Sequence, residues 1–364
     1  MSTRVAVVGV NGHGGWHLTN IARLVARGQA RLVAACDLAP VSASIQNSIS
    51  ALGATLYTSY ERMLQETTPQ IVILVTPPAT HLPLANLAMA AGADVLVEKP
   101  ATVRVADLDA LIANAARLDR RIQIGFQSIG SYALDVIASL IADGTVGPLR
   151  HVYAAGAWTR PTAYFQRGAW AGRRFVDGVA VGDGAVANPF GHALMNCLQI
   201  AGVTEVAALS AELFCANDIS SDDTSSLRTM FGGVTVNLAV TLCADRIVDP
   251  YVVAVGSRGS VRWDYTTDEL RLDGKRVDLP GARDLLTDLI DARRLDRAPL
   301  CPPERCRTFT TITESLLDGP APTRIPSHFA GGDPVRVPGI ATLIERSASD
   351  GQLFSESGAP WASR

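Results

Sequence analysis

The sequence predicts two domains: an α/β domain built on a doubly wound parallel sheet, then an α+β domain with an open, mostly antiparallel sheet covered by helices on one face. Three observations predict this. A length of 364 residues, 48% hydrophobic and 18% charged, suits two domains better than one. Short apolar runs alternate with helix-length segments from residue 4 to 125. Alternating strands with hairpin turns then occupy residues 205–279.

The first domain is predicted over residues 1–125. Its apolar runs are continuous rather than alternating, which is typical of parallel strands buried on both faces between helices. The five predicted strands are residues 4–8, 31–36, 70–75, 94–97 and 121–124.

The second domain is predicted over residues 126–330. A helix is expected over 132–142 and a strand over 149–159. Gly232 and Gly233 lie between two strand-like runs and supply the positive φ angles that a tight hairpin needs. Residues 331–364, rich in Gly, Pro and Ser, are predicted to form an irregular tail.

Composition excludes several kinds of partner. The net charge is −3 and no run of Lys or Arg stands out, so neither a nucleic acid nor an anionic membrane is expected as a partner. No apolar stretch approaches the roughly 18 residues of a membrane span, and no signal peptide precedes the first strand, so we expect a cytoplasmic protein. The six scattered cysteines are expected to be reduced and buried.

A glycine-rich turn follows the first strand in "VAVVGVNGHGGWHL", residues 5–18. Spacing a G-x-G-x-x-G motif from Gly9 places Asn11 at the second glycine and Gly14 at the third. Asn tolerates left-handed backbone angles, and Gly12 and Gly15 add freedom nearby. The turn is therefore predicted to bind a dinucleotide, and the alternative is an ordinary strand-to-helix turn.

Asp37 ends the second predicted strand, 23 residues after Gly14. A carboxylate there can accept hydrogen bonds from both ribose hydroxyls and would repel a 2′-phosphate, which favours NAD over NADP. The alternative is a residue that only ends the strand, since "DLAP" is also typical of a turn.

These motifs, with others downstream, resemble the Gfo/Idh/MocA family (glucose–fructose oxidoreductase, inositol dehydrogenase, rhizopine catabolism) up to about residue 325. The matching residues are Gly9, Gly14, His17, Asp37, "TPPATH" at 76–81, "VLVEKP" at 95–100 and "GDGAVANPFGHALMN" at 182–196. The resemblance implies an N-terminal Rossmann domain and an NAD(P)-dependent enzyme acting on a sugar, cyclitol or related polyol.

The resemblance also implies the site residues. Cofactor binding is expected from Gly9, Asn11, Gly12, His13, Gly14, Asp37, Thr76, Pro77, His81, Glu98, Lys99 and Gln127. In this family the lysine of the E-K-P stretch, here Lys99, hydrogen-bonds the reacting oxygen, and Glu98 is expected to hold that lysine or the cofactor. The alternative for Lys99 and Glu98 is a solvated ion pair at a strand end.

His192 is the predicted general base. Asn188 is expected to cap its helix, Pro189 to occupy the first helical position and Gly202 to end it. The helix dipole would then favour the neutral, proton-accepting imidazole. Many relatives carry aspartate where this sequence has Asn188 and Asn196, so activity is in question, and a structural histidine is the alternative.

The segment 160–175, "RPTAYFQRGAWAGRRF", is dense in arginine and aromatic residues. Arg160, Tyr164 and Trp170 are predicted to bind substrate together with Lys99, Asn188 and His192, because sugars present apolar ring faces and polar rims. The alternative is a loop ordered by aromatic packing or buried in a subunit interface. His13 and His17 are four residues apart, but no glutamate stands in H-E-x-x-H spacing, so no metal site is predicted.

The predicted function is that of an NAD-dependent sugar or polyol dehydrogenase. Two alternatives remain open: a non-catalytic NAD-binding sensor or regulator, and an enzyme that retains its NAD and cleaves glycosides. An open sheet face would be an aggregation liability, and relatives bury it in dimers or tetramers, so a homodimer or homotetramer is expected.

Overall fold

The structure, a computed structural model, describes residues 2–362. Its contacts divide the chain into two compact units. The first comprises the chain up to Gln127 together with Arg283–Cys306, and the second comprises Ser128–Ala282 and the chain from Arg307 onward. Within residues 2–362, no helix is long and apolar enough to cross a bilayer.

Secondary structure elements are numbered here in chain order over residues 2–362. The strands are β1 Thr3–Val8, β2 Ala30–Cys36, β3 Thr55–Tyr57, β4 Ile71–Leu74, β5 Asp94–Glu98, β6 Ile122–Gly125, β7 Leu149–Thr159, β8 Phe175–Val176, β9 Val179–Ala180, β10 Leu209–Cys215, β11 Thr224–Phe231, β12 Val234–Thr241, β13 Cys243–Gly256, β14 Ser260–Asp264, β15 Glu269–Leu272, β16 Lys275–Val277 and β17 Thr323–Arg324. The helices are α1 Gly14–Ala26, α2 Ala43–Ala51, α3 Tyr60–Thr67, α4 His81–Ala90, α5 Val105–Leu118, α6 Ala133–Ala142, α7 Gly191–Ala201, α8 Leu285–Leu295, α9 Arg307–Asp318 and α10 Ile340–Asp350.

The first unit is built on a parallel sheet in the order β3-β2-β1-β4-β5-β6. The five predicted strands are confirmed to within one residue at each end. Their central residues are fully buried, as continuous apolar strands between helices require. The short, partly exposed β3 was not predicted. The doubly wound fold is therefore confirmed.

Residues 283–306 belong with the first unit, although the prediction placed them in the second domain. Leu286 and Leu289 of α8 pack in the same core as β1, β2 and α1. Past α8, the Cys301 carbonyl accepts a hydrogen bond from Ile124 N of β6 at 2.8 Å. The chain thus returns to cover the first sheet. All six cysteines are buried and free, as predicted.

The second unit contains a sheet in the order β16-β15-β14-β13-β7-β12-β11-β10-β17 among the described residues. The β7–β12 and β10–β17 pairs are parallel and the others are antiparallel. The hairpin between β11 and β12 turns through Gly232 and Gly233, with φ of 55° and 83°, as predicted. The mostly antiparallel second sheet is therefore confirmed.

The predicted cover of helices on one face is present, and around β7 a second helix also packs on the face that was expected to be open. Ala155 and Ala157 of β7 share a core with Ile344 of α10. Side chains of neighbouring residues point to the other face. There a Cβ on Gly156 would lie 2.5 Å from the ring of Phe190, the residue before α7.

The predicted irregular tail, residues 331–364, is corrected by this arrangement. It contains α10, and Phe354 and Trp361 continue the same core beyond it. Arg228 on β11 donates from its two terminal nitrogens to both carboxylate oxygens of Glu356 at 2.7 and 2.9 Å. The argument for an oligomer from an open face therefore fails, and the homo-oligomer stays a prediction.

Replacing Ile344 by alanine is expected to lower the free energy of unfolding by about 3 kcal/mol, because a cavity would replace a fully buried side chain. Urea unfolding followed by tryptophan fluorescence measures this, since all tryptophans except Trp16 lie in the second unit. The exposed Thr342 of the same helix supplies the control Thr342→Ala. This variant is expected to change the free energy of unfolding by less than about 0.5 kcal/mol. Equal stability of the two variants would contradict the packing of α10 on the sheet.

Candidate functional site

The glycine turn between β1 and α1 is tightly packed at Gly9 and Gly14 and open at Gly12 and Gly15. A Cβ on Gly9 would lie 2.5 Å from the Val75 carbonyl oxygen, and one on Gly14 would lie 2.1 Å from the Gly9 carbonyl oxygen. Neither position tolerates a side chain. At Gly12 and Gly15 no atom outside the adjoining backbone and neighbouring residues lies within 4 Å of the corresponding point. This is the shape of a turn that a ligand can approach closely.

Asn11, at the position of the second glycine, links this turn to Asp37. Its Nδ2 donates to Asp37 Oδ2 at 3.1 Å, and the same oxygen accepts from the backbone N–H groups of Val10 at 2.9 Å and Asn11 at 3.2 Å. The positive φ expected to be tolerated by Asn11 falls on Gly12 instead, at 60°. Asp37 Oδ1 accepts from Ala39 N at 3.0 Å, so the carboxylate is fixed at the end of β2.

Glu98, the last residue of β5, is a buried hydrogen-bond acceptor for several elements. Its Oε1 accepts from Nε2 of His17 and from Nε2 of Gln127, both at 2.8 Å, and lies 3.5 Å from His13 Nε2. Its Oε2 accepts from Lys99 N at 3.1 Å. Burial opposes ionisation, but hydrogen bonds from His13 and His17 outweigh it and hold the pKa of Glu98 well below its usual range.

His81 joins the two turns that follow β4 and β5. Its Nε2 lies 2.8 Å from the Thr76 carbonyl oxygen, and its Nδ1 lies 3.1 Å from the carbonyl oxygens of Pro100 and Ala101. Burial lowers the pKa of this imidazole, which favours the neutral form. Both ring nitrogens face backbone carbonyl oxygens, so His81 is placed to order Thr76 and Pro77, and its predicted contact with a cofactor stays a prediction.

All the predicted cofactor residues lie in the first unit, in segments that follow the carboxyl ends of its parallel strands. Gly9–Gly14 follows β1, Asp37 follows β2, and Thr76 follows β4. Lys99 and Gln127 follow β5 and β6. Open α/β sheets bind ligands at this edge.

In the second unit, His192 is the second residue of α7. The predicted cap is wrong: Phe190 precedes the helix without a side-chain cap, and Asn188 Nδ2 instead donates to Asp183 Oδ1 at 2.6 Å. Gly202 ends the helix in the left-handed conformation, as predicted. The carboxylate of Asp183 competes with the helix terminus for the Asn188 side chain.

Ser128 links His192 to Asn196, a connection that the sequence did not suggest. Ser128 Oγ donates to Asn196 Oδ1 at 2.9 Å and lies 3.1 Å from His192 Nδ1. With the hydroxyl proton directed to Asn196 Oδ1, His192 Nδ1 is the donor to Ser128 Oγ. This tautomer leaves Nε2 of His192 as the nitrogen that can accept a proton.

Aromatic rings and guanidinium groups stack together in the segment after β7. The Arg160 guanidinium carbon lies 4.9 Å from the Trp158 ring and 5.2 Å from the Tyr164 ring. That of Arg167 lies 3.8 Å from Tyr164 and 4.4 Å from Trp170. The predicted residues Arg160, Tyr164 and Trp170 are thus brought together, with Trp158 as a member that sequence reasoning missed.

Asp183 does not supply a second acid to His192. Its Oδ2 accepts from Arg167 Nη2 at 2.9 Å and from Gly172 N at 2.7 Å. The ion pair with Arg167 compensates the charge of the Asp183 carboxylate. The contacts of Asp183 with Arg167 and Gly172 hold the 160–175 segment in place.

The amino-terminal part of the chain matches a known family. Residues 3–126 match Gfo/Idh/MocA, an oxidoreductase family with an NAD-binding Rossmann fold. The match spans the parallel sheet and the glycine turn of the first unit. The match confirms the resemblance inferred from the glycine turn, Asp37 and the E-K-P stretch.

Curated relatives of this chain are distant. An uncharacterised oxidoreductase of Synechocystis is 24% identical over 70% of this chain and 66% of its own length. The inositol 2-dehydrogenase/D-chiro-inositol 3-dehydrogenase of Lactiplantibacillus plantarum is 26% identical over 40% of this chain and 41% of its own length. The chain thus matches less than two thirds of the length of these relatives.

Solved structures share the fold across most of the chain. The WlbA dehydrogenase of Bordetella pertussis, in complex with NADH and UDP-GlcNAcA, has a TM-score of 0.73 and 23% identity, covering 89% of this chain and 99% of its own. The aldose-aldose oxidoreductase of Caulobacter crescentus has a TM-score of 0.71 and 20% identity, covering 87% of this chain and 96% of its own.

Asn11→Gly restores the family's glycine spacing, yet it is expected to weaken NAD⁺ binding roughly three- to ten-fold. The variant removes the amide that fixes the Asp37 carboxylate, and a hydrogen bond to a charged group contributes about 1 to 2 kcal/mol. Isothermal titration with NAD⁺ measures the change. Asn11→Ala is the control without added backbone freedom, and tighter binding by Asn11→Gly than by wild type would contradict the role given to the amide.

Proposed function

We propose that the protein is an NAD-dependent oxidoreductase that transfers hydride between the nicotinamide and a hydroxyl of a sugar, cyclitol or related polyol. Lys99 carries the proposal. The sequence contains 30 arginines and two lysines, and one of those lysines directly follows buried Glu98 at the ligand-binding edge of the sheet. The other lysine, Lys275, is exposed, and arginine supplies every other cationic side chain of this kind in the chain. Lys99 therefore places a compact ammonium that can change its protonation state at an edge of the sheet suited to ligands.

The first unit fits an NAD cofactor. The open outer face of the turn at Gly12 and Gly15 suits close approach of a pyrophosphate. Asp37 stands at the end of β2 with Oδ1 accepting from a single backbone N–H, so that oxygen has capacity for ribose hydroxyls. Its negative charge would repel a 2′-phosphate, and we propose NAD rather than NADP for this reason.

Oxidation of a secondary alcohol requires removal of the hydroxyl proton and stabilisation of the developing alkoxide. NAD⁺, when bound, supplies the two-electron acceptor. Lys99 would donate a hydrogen bond to the reacting oxygen and stabilise its negative charge. His192 Nε2 would accept the hydroxyl proton, because Ser128 and Asn196 hold the other ring nitrogen in the protonated form.

The stack of Trp158, Arg160, Tyr164, Arg167 and Trp170 is the proposed polyol-recognition surface of the second unit. Arg167 is paired with Asp183, whereas Arg160 forms no ion pair with a described carboxylate. Stacking occupies the face of the Arg160 guanidinium, and its Nη1 donates to the Thr159 carbonyl oxygen at 3.4 Å. The other N–H groups of its edge are the ones proposed to bind hydroxyl or carboxylate oxygens of a ligand.

A second candidate, an NAD-binding sensor without turnover, is favoured by one observation. The positions around His192 where many relatives carry aspartate hold Asn188 and Asn196, whose amides carry no charge. The retained-NAD glycosidase is the third possibility, and it predicts product without accumulation of NADH. Asn188→Asp is a poor test of either, because it would place a second carboxylate beside Asp183 Oδ1, 2.6 Å from the present amide.

The experiment is a turnover assay with NAD⁺ against a panel of cyclitols, aldoses and sugar acids, followed by NADH absorbance. Wild type is expected to reduce NAD⁺ with at least one member. His192→Ala should lower kcat by about 10² to 10⁴, the usual contribution of a general base. Lys99→Ala should lower it by about 10² to 10³ through loss of alkoxide stabilisation.

Matched controls exist for both variants. His328 and Lys275 are exposed, so His328→Ala and Lys275→Ala should leave kcat unchanged. Undiminished turnover in both His192→Ala and Lys99→Ala would contradict the roles given to these residues. NAD⁺ binding with no turnover on the whole panel would favour the sensor.

A further inference from the structure

Two histidines and a carboxylate converge on one point at the start of α1. Nε2 of His13, Nε2 of His17 and Oε1 of Glu98 lie within 4.8 Å of one another. The sequence offered no glutamate in local spacing with these histidines, but β5 brings Glu98 to them from 81 residues away. Two imidazoles and one carboxylate form a donor set that binds Zn²⁺ in proteins.

The distances suit a single small cation. Tetrahedral Zn²⁺ with bonds of about 2.0 to 2.2 Å separates its ligand atoms by roughly 3.3 Å. Glu98 Oε1 lies 2.8 Å from His17 Nε2 and 3.5 Å from His13 Nε2. His17 and Glu98 are buried and fixed, whereas the His13 side chain is 53% exposed and can adjust. Its exposure also leaves room for water as a fourth ligand.

His17 Nε2 must lose its proton before it can bind a cation. That proton can move to Nδ1 of the same ring without the loss of a further hydrogen bond. His17 Nδ1 is buried and has no hydrogen-bond partner among the described residues. Nδ1 has no hydrogen-bond partner with or without a proton. Moving the proton from Nε2 to Nδ1 therefore breaks no hydrogen bond at Nδ1. The single hydrogen bond between His17 and Glu98 would be replaced by two bonds to the cation.

We propose that His13, His17 and Glu98 form a binding site for Zn²⁺ or a similar divalent transition metal. His13 stands between Gly12 and Gly14, so an occupied site would tie the glycine turn to the end of β5. If the proposed function is also correct, the cation and NAD⁺ compete for this turn. The metal site itself does not depend on that function.

The test uses the full chain stripped of metal with EDTA and returned to chelator-free buffer near pH 7.5. Zn²⁺ alone is titrated by calorimetry, and Co²⁺ is added separately to record visible absorption bands of the bound ion. We expect one equivalent of Zn²⁺ to bind with micromolar or tighter affinity. His13→Ala and Glu98→Gln should each weaken binding by at least about ten-fold. His328→Ala, an exposed histidine in the second unit, is the matched control and should bind as wild type does.

Each outcome decides the proposal. No binding by wild type overturns it, and so does equal binding by wild type, His13→Ala and Glu98→Gln. Because His13 is largely exposed, His13→Ala should fold normally, which circular dichroism checks, and it keeps the test valid if Glu98→Gln unfolds. Zn²⁺ binding that depends on His13, in a protein that binds no NAD⁺ when metal-free, would support the metal site and contradict the proposed function.

Discussion

The buried carboxylate of Glu98 is the interaction on which the ligand-binding edge of the first sheet depends. Removing an ionised carboxylate from water costs several kcal/mol unless hydrogen bonds replace the lost hydration. Glu98 meets this requirement with donors from His17 of α1, from Gln127 beyond the end of β6 and from its own neighbour Lys99. Each donor is thereby held at a fixed place. The hydrogen bonds that compensate the burial of Glu98 therefore fix the positions of the glycine turn, the E-K-P stretch and Gln127.

Much of the first unit could be predicted from the sequence because its signals are local. Continuous apolar runs mark β1, β2, β4, β5 and β6, and the spacing of Gly9 and Gly14 marks the turn. The links between these segments are not local. Nothing in the spacing of Asn11 and Asp37, or of His17 and Glu98, shows that the fold brings their side chains into hydrogen-bonding contact. The prediction of no metal site considered only glutamates close to the two histidines in the sequence, whereas β5 brings Glu98 to His17 from 81 residues away.

The second unit shows where composition misleads. Gly, Pro and Ser suggested an irregular segment after residue 330, yet Ile340, Ile344 and Ala348 form a helical stripe that was available in the sequence. This stripe covers the sheet face that was expected to be open. The cap predicted at Asn188 failed for a different reason. The Asn188 side chain can cap a helix, but it donates to Asp183 instead. Only tertiary structure decides between the helix terminus and Asp183 as its partner.

The proposed cofactor site and the proposed metal site share Glu98. The most direct measurement is therefore the affinity of the metal-free protein for NAD⁺, compared between wild type and the Glu98→Gln variant. Glutamine keeps the shape of the side chain but replaces an oxygen that accepts hydrogen bonds by an amide that donates them. At least one of the donors now bound to Glu98 would be left unsatisfied. The account predicts NAD⁺ binding by wild type and a loss of at least about ten-fold in the variant. Equal affinity of the two folded proteins would show that this carboxylate does not organise the site.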